Sequence, residues 1–220
     1  MQYDNIAERR ILIFGDSNTF GYDPAHDGRY GETERYPRRL QALLGAQYAV
    51  LEEGLCGRTA VFDDPLTEGL SGLAMLAPLM LSHAPLDTLV IMLGTNDTKE
   101  RFGCNAHMIA TGFARLLDKA LGTPAWRGAP DILLVAPSPV VPAYRTLMFC
   151  DEMGVGCAEK SAALAGELAL VAAAKGIRFL DAGDIPGVGV HPLDGMHLTR
   201  EAHAALADAL AAALRAPVEK

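Results

Sequence analysis

The sequence lacks the features of several broad protein classes. No apolar run approaches the roughly 18 residues that a membrane helix needs, and the opening "MQYDNIAERR" lacks the basic-then-apolar build of a signal peptide. The net charge of −8 and the pI near 5.2 disfavour nucleic acid and anionic membrane as partners. The four cysteines show no CxxC spacing, which favours reduced thiols over disulfides or a metal site: Cys56, Cys104, Cys150 and Cys157. These absences predict a cytoplasmic protein that acts on a small molecule.

Short apolar runs alternate with longer stretches of helical composition along the 220 residues, of which 50% are apolar. This size predicts one domain over residues 1–220. The strand candidates are nearly continuous apolar runs, typical of strands covered on both faces: Arg10–Gly15, Tyr48–Glu53, Thr88–Leu93, Ile132–Ala136 and Ile177–Leu180. The helix candidates are Tyr36–Leu44, Leu70–Ser82, Ala106–Leu121, Ala158–Lys175 and Arg200–Leu214. The alternation predicts an α/β fold, a three-layer α/β/α sandwich with a five-stranded parallel sheet.

One long connection follows the fourth strand. It begins with the proline-rich "APSPVVPAY" and runs to Cys157, so that residues 137–157 carry no predicted element. Loops of this length are usually functional or mobile. A pocket wall, an oligomer contact and an ordinary surface excursion are all consistent with the sequence.

Polar, glycine-rich segments follow the first three strands. Gly15-Asp16-Ser17 ends the first, "GLCGRT" (54–59) follows the second, and "GTND" (94–97) follows the third. In a doubly wound sheet, ligands bind beyond the carboxyl ends of the strands, where the strand order reverses. We therefore expect these segments to converge on one rim.

Ser17 has two interpretations. Serine is a preferred N-cap, and between a strand and a helix it is more often a cap than a nucleophile. The later stretch "HPLDGMHLT" favours chemistry, because Asp194 and His197 lie three residues apart and a carboxylate can fix the tautomer of an imidazole that faces a nucleophile. An acyl-transfer site also needs oxyanion donors, which the N–H of Ser17, the N–H of Gly57 and the amide of Asn96 could supply.

The motifs "FGDSNTFG", "GLCGRT", "GTND" and "DGMHL" resemble, in order, the blocks of the SGNH (GDSL-type) hydrolases, and they span residues 14–198. "EEGLCGRT", "DDP" and "IMLGTNDTK" are similar to the short-chain arylesterase and acyltransferase subgroup. A lipase of the α/β-hydrolase type would carry G-x-S-x-G, and neither Ser17 nor Ser71 lies in that pattern.

The resemblance implies a flavodoxin-like sheet, no metal or organic cofactor, a plausible homo-oligomer, and ester hydrolysis through an acyl-serine. It assigns Ser17 as nucleophile, His197 as base and Asp194 as its orienter, with Ser17, Gly57 and Asn96 forming the oxyanion hole. One departure is Asn18, which stands where the family's short name has leucine. That position follows the nucleophile and does no chemistry itself, so the departure is expected to bear on pocket shape and not on the mechanism.

The substrate is less well defined by the sequence. Phe20, Leu55, Val61 and Phe62 could line a small acyl or aryl pocket, or pack as ordinary core residues. Arg58 could bind a substrate carboxylate, but pairing with Glu52 or Glu53 is the favoured interpretation.

The leading function is a serine esterase for short-chain acyl esters, with acyl transfer to alcohols as an additional activity. Deacetylation of an acetylated sugar or metabolite is the alternative. A non-catalytic anion-binding domain is disfavoured, because "GDSNTFG" offers aspartate where a phosphate site would place Lys or Arg.

Overall fold

Seven strands and seven α-helices occur in the computed structural model, which describes residues 8–216. The strands are β1 (Arg9–Gly15), β2 (Tyr22–Asp23), β3 (Gly28–Arg29), β4 (Tyr48–Gly54), β5 (Thr88–Met92), β6 (Ile132–Ala136) and β7 (Arg178–Asp181). The helices are α1 (Ser17–Phe20), α2 (Tyr36–Leu44), α3 (Gly72–Ser82), α4 (Ala106–Gly122), α5 (Cys150–Met153), α6 (Cys157–Lys175) and α7 (Arg200–Arg215). Residues 1–7, on which the expectation of no signal peptide largely rests, lie outside the described residues.

The central sheet is parallel and has the strand order β4-β1-β5-β6-β7. The five-stranded α/β fold predicted from the sequence is confirmed, and each predicted strand end lies within one residue of the observed end. Strand β4 pairs with one side of β1, and β5, β6 and β7 lie on the other side. The strand order therefore reverses between β1 and its neighbours, and the carboxyl ends of β1, β4 and β5 meet at that switch point.

Alternation along the strands divides the core between the two faces of the sheet. In β1, Leu12 and Phe14 pack on the face covered by α3, α4 and α6, whereas Ile11 and Ile13 pack on the face covered by α2 and α7. Because successive strand residues point to opposite faces, a strand covered on both faces must be apolar throughout. This explains the unbroken run "ILIF".

Helix α3 begins two residues later than predicted. The carbonyl of Leu70 accepts a hydrogen bond from the N–H of Thr59 (3.0 Å), which ties Leu70 to the loop after β4. Gly72 then packs so closely on this loop that an added Cβ would lie 2.6 Å from the carbonyl oxygen of Thr59. Tertiary contacts therefore set the start of this helix.

The short elements were not predicted. The two-residue strands β2 and β3 pair in an antiparallel hairpin, and α1 and α5 have four residues each. Elements this short carry too few residues to show a helical or strand period.

In the part of the chain that the structure describes, no helix has both the length and the apolar character to cross a membrane.

His203 provides a test of the packing between α7 and α2. Its imidazole is fully buried against Tyr30 and Tyr36, and its Nδ1 accepts the N–H of Tyr36 (3.3 Å). Burial lowers the pKa of His203 to about 3. The unfolded chain binds this proton below about pH 6.5 and the folded chain does not, so the contribution to stability is lost as the pH falls from about 6.5 towards 3.

We expect His203→Gln to reduce the dependence of stability on pH. Between pH 7 and pH 5 the wild-type unfolding free energy should fall by about 2 kcal/mol more than that of the variant. Urea denaturation of both proteins at the two pH values measures this difference. Equal losses in the two proteins would show that His203 is not buried in its neutral form.

Candidate active site

Ser17 lies at the first position of α1, directly beyond the end of β1. The cap of this helix is Asp16, whose Oδ1 accepts the N–H of Asn18 (2.9 Å). Gly15 permits the tight turn, because an added Cβ would lie 1.9 Å from Oγ1 of Thr19 and 2.8 Å from the carbonyl oxygen of Met92. Since Asp16 supplies the cap, the hydroxyl of Ser17 is free for another partner.

That partner is His197. Oγ of Ser17 lies 2.8 Å from Nε2 of His197, and Nδ1 of His197 lies 2.7 Å from Oδ2 of Asp194. A carboxylate can only accept, so Nδ1 carries the hydrogen and, in the neutral ring, Nε2 accepts from the serine hydroxyl. The structure thus joins three predicted site residues, separated by up to 180 positions in the chain, in one hydrogen-bonded series.

Asp194 is held in place by its own loop. Its Oδ1 accepts the backbone N–H groups of Met196 (2.9 Å) and His197 (3.0 Å). Complete burial opposes ionisation, but the hydrogen bonds and charge from His197 outweigh it and keep the pKa of Asp194 below its ordinary value. The carboxylate is therefore ionised and oriented at neutral pH.

Two further predicted site residues border the same cavity as Ser17. Gly57 has a φ of +85°, a backbone conformation that favours glycine, and Asn96 begins a 3-10 turn after β5. One hydrogen of the Asn96 amide goes to the carbonyl of Arg58 (3.2 Å), and the amide has a second. This cross-link ties the segment after β5 to the loop that carries Gly57.

Asp97 strengthens that cross-link. Both of its carboxylate oxygens accept the N–H of Ala60, at 2.9 and 3.0 Å. Burial raises the pKa of Asp97 to about 7 and that of Asp16 to about 6. Asp16 caps α1 and Asp97 ties the segment after β5 to Ala60, and neither side chain borders the cavity.

The cavity beside Ser17 has a volume of about 300 Å³, at the small end of the range for ligand pockets. Its apolar side consists of side chains from four separate segments: Tyr22, Leu70, Phe149, Met153 and Met196. Its polar side includes Asp64, Thr67, Lys99 and Glu152. The 137–157 connection therefore forms part of the cavity wall.

Two aromatic rings cover the imidazole of His197. The ring centroid of Tyr22 lies 4.7 Å from that of His197, and the ring of Phe149 meets it edge-on at 5.9 Å. The hydroxyl of Tyr22 donates to Asp27 (2.9 Å), and burial together with this acceptor raises the pKa of Tyr22 to about 12. The base is thereby shielded on the cavity side by groups that stay neutral.

The model of the GDSL-like lipase/acylhydrolase family matches residues 13–205 of the chain. The chain belongs to this family. Among solved structures, the aryl esterase of M. smegmatis is 34% identical, with a TM-score of 0.85, and the match covers 94% of this chain and 98% of that one. A carbohydrate acetylesterase from Sinorhizobium meliloti is 35% identical over the same shares, with a TM-score of 0.86. Comparison with curated proteins gave no match.

Membership of the GDSL-like family makes the protein a carboxylic ester hydrolase with a small-molecule ester substrate. The resemblance to SGNH hydrolases that the sequence motifs indicated is confirmed, as is the α/β sheet that it implied. Within residues 8–216, no group of three or more His, Cys, Asp or Glu side chains is placed to hold a metal ion. All four cysteines are free thiols, and Cys56 borders the cavity of this family member.

Of the two interpretations of the apolar residues near the rim, the structure supports ordinary packing and not a pocket lining. Phe20 lies beneath the guanidinium of Arg29, with 4.3 Å between the guanidinium carbon and the ring centroid, and Phe62 stacks on Phe102 at 4.9 Å. Val61 packs on α4, and Leu55 is partly exposed, so none of the four borders the cavity. Apolar character indicated burial, but it carried no information on which side each residue faces.

The favoured pairing of Arg58 with the carboxylate of Glu52 or Glu53 was wrong. Its guanidinium donates to the backbone carbonyls of Gly15 (2.9 Å) and Glu53, and it lies over the ring of Phe14. The carboxylate of Glu53 is bound by His83 instead. Arg58 is 4% exposed and braces the ends of β1 and β4 from inside the protein.

The charged residues on the polar side of the cavity were not predicted from the sequence. Lys99 is 3% exposed and its Nζ lies 2.7 Å from Glu152, and this hydrogen bond outweighs partial burial and lowers the pKa of Glu152. Arg101 links Glu152 (3.4 Å) to Asp64 (3.3 Å). These contacts connect the turn after Asn96 to α5, and no local sequence pattern indicates them.

Proposed function

We propose that the protein is a serine esterase that hydrolyses short-chain acyl esters of aryl and alkyl alcohols through an acyl-serine, and that alcohols can replace water as acyl acceptors. The observation that carries this proposal is the series Asp194–His197–Ser17, with hydrogen-bond distances of 2.7 and 2.8 Å, at the edge of a small cavity. This is the arrangement of nucleophile, base and orienting carboxylate that acyl transfer requires.

In the proposed first step, Nε2 of His197 takes the proton of Ser17 as Oγ attacks the ester carbonyl. Asp194 stabilises the imidazolium that forms, and the oxyanion accepts from the N–H of Ser17, the N–H of Gly57 and the amide of Asn96. His197 then protonates the departing alcohol. Water, or a second alcohol activated by the same imidazole, attacks the acyl-serine and releases the product.

Cavity size supports a limit on acyl length. We expect p-nitrophenyl acetate and butyrate to be hydrolysed and the octanoate to react at least about tenfold more slowly in kcat/KM, since about 300 Å³ must hold both parts of the ester. A chain-length series from acetyl to octanoyl measures this limit. Equal rates along the series would show that the acyl chain lies outside the cavity.

The polar side of the cavity favours a second candidate, deacetylation of an acetylated sugar or related metabolite. Asp64, Lys99 and Glu152 offer both donors and acceptors to substrate hydroxyls, while Tyr22 and Phe149 offer flat apolar faces. The similarity to a carbohydrate acetylesterase supports the same candidate. Acetate release from a panel of acetylated sugars, compared with p-nitrophenyl acetate, separates the two substrate classes.

The oxyanion hole is tested at Asn96. We expect Asn96→Ala to lower kcat by about 10²–10³ with little change in KM, because the amide would stabilise charge that develops only in the transition state. Steady-state kinetics and a circular-dichroism check of folding provide the measurement. A drop of less than about tenfold would remove Asn96 from the hole.

We further propose a single domain over residues 1–220, a cytoplasmic location and a homo-oligomer. The family match over residues 13–205 supports one domain, and four free thiols suit a reducing compartment. Met148 and Val155 in the 137–157 connection, together with nearby Leu193, are exposed apolar residues that support a contact between copies. Light scattering coupled to size exclusion measures the oligomeric state.

A further inference from the structure

We infer that Asn18 is a positioning residue that holds the loop carrying His197 in register with Ser17. The inference rests on the proposed roles of Ser17 and His197. Asn18 is the residue at which this chain departs from the leucine of the family's short name. Its side chain is 3% exposed and reaches the catalytic loop across 180 positions of sequence.

The contacts of Asn18 flank the base on both sides. Oδ1 of Asn18 accepts the N–H of Leu198 (2.8 Å), and Nδ2 donates to the carbonyl of Met196 (3.4 Å). These two backbone groups belong to the residues directly before and after His197. One side-chain amide therefore fixes the backbone on both sides of His197, and with it the position of the imidazole. This amide belongs to the residue next to the nucleophile.

The other backbone bonds of this loop lead elsewhere. The N–H of His191 donates to the carbonyl of His197 (2.6 Å), which closes the loop on itself. The N–H groups of Val141 and Met148 donate to the carbonyls of Gly195 and Leu193, which ties the loop to the 137–157 connection. Neither set of contacts ties the loop to β1 or α1. Asn18 does so directly.

A leucine at position 18 would lose both bonds. It would fill nearly the same volume, but it would leave the buried N–H of Leu198 and the carbonyl of Met196 without these partners. The loop would then be free to shift relative to Ser17, and a misplacement of about 1 Å in an active site can cost about 10²-fold in rate. The expectation that Asn18 bears on pocket shape was wrong, since Asn18 does not border the cavity. The expected effect is on the chemical step.

The test compares Asn18→Leu and Asn18→Ala with Thr19→Val. Thr19 is also buried in α1, but its hydroxyl bonds to Tyr36 (2.7 Å), away from the catalytic loop. For p-nitrophenyl acetate we expect both Asn18 variants to lower kcat by about 10–10² with KM within about threefold. Phosphonylation of Ser17 by a p-nitrophenyl phosphonate should slow by a similar factor. Thr19→Val should lower the melting temperature and leave kcat within about twofold.

A double-mutant cycle separates positioning from general destabilisation. In an Asp194→Asn background the imidazole carries its hydrogen on Nε2 and cannot take the proton of Ser17 wherever the ring lies, so Asn18→Leu should cost less than about threefold there. The inference is overturned by a fully additive cycle, by a kcat within twofold of wild type in both Asn18 variants, or by an equal loss in Thr19→Val. The alanine variant serves if the leucine variant does not fold.

If Ser17→Ala keeps full activity, the proposed function itself fails. An inactive Ser17→Ala together with unaffected Asn18 variants rejects this inference alone.

Discussion

Replacing Ser17 by alanine is expected to lower kcat for p-nitrophenyl acetate by about 10⁴–10⁶ while the fold stays intact. The substitution removes the oxygen that would attack the carbonyl, and nothing else within reach of Nε2 of His197 replaces it in the described contacts. Residual rate should come only from the oxyanion donors and from binding. The loss should fall on kcat, because every other residue that borders the cavity is unchanged.

The matched control is Ser82→Ala, since Ser82 is an exposed serine at the end of α3. It should retain wild-type kinetics, and Ser17→Ala should retain the wild-type melting temperature and circular-dichroism spectrum. Full activity in Ser17→Ala would mean that the serine after β1 is not the nucleophile.

Replacing Asp194 by asparagine is expected to lower kcat by about 10⁴. The asparagine oxygen can still accept from the N–H groups of Met196 and His197, so the loop should keep its shape. Its amide nitrogen, however, would donate towards Nδ1 of His197. The ring would then carry its hydrogen on Nε2 and could not accept the proton of Ser17.

KM should stay within about threefold in Asp194→Asn, because Asp194 is fully buried and does not border the cavity. Asp208→Asn, on the exposed side of α7, is the control for a loss of one negative charge. A loss of less than tenfold in the Asp194 variant would show that the carboxylate does not orient the base.

Much of the fold was predictable because the central strands β1, β5 and β6 are buried on both faces. A strand such as β6 must be apolar at every position, and glycine or polar residues end each run sharply. The short hairpin β2–β3 and the helices α1 and α5 escaped prediction, since two to four residues carry no period. The hairpin matters for the site, because it presents Tyr22 to His197.

The reacting groups were predictable for a related reason. Parallel strands deliver their carboxyl ends to one edge, so polar residues after β1, β4 and β5 had to meet there. Asp194 and His197 were identifiable because three residues separate them in one short loop. The structure brings all five predicted site residues to the same region, and their catalytic roles stay predictions until the variants are measured.

The sequence by itself thus determined the sheet, the family and the chemical groups available for ester hydrolysis, because each depends on burial pattern or on residues close together in the chain. The tertiary structure decided which side chains surround the substrate and which hold the reacting groups in register. The contacts of Phe149 with His197, of Lys99 with Glu152 and of Asn18 with Leu198 join residues about 50 to 180 positions apart. Contacts at such separations are formed by packing, and packing leaves no local pattern in the sequence.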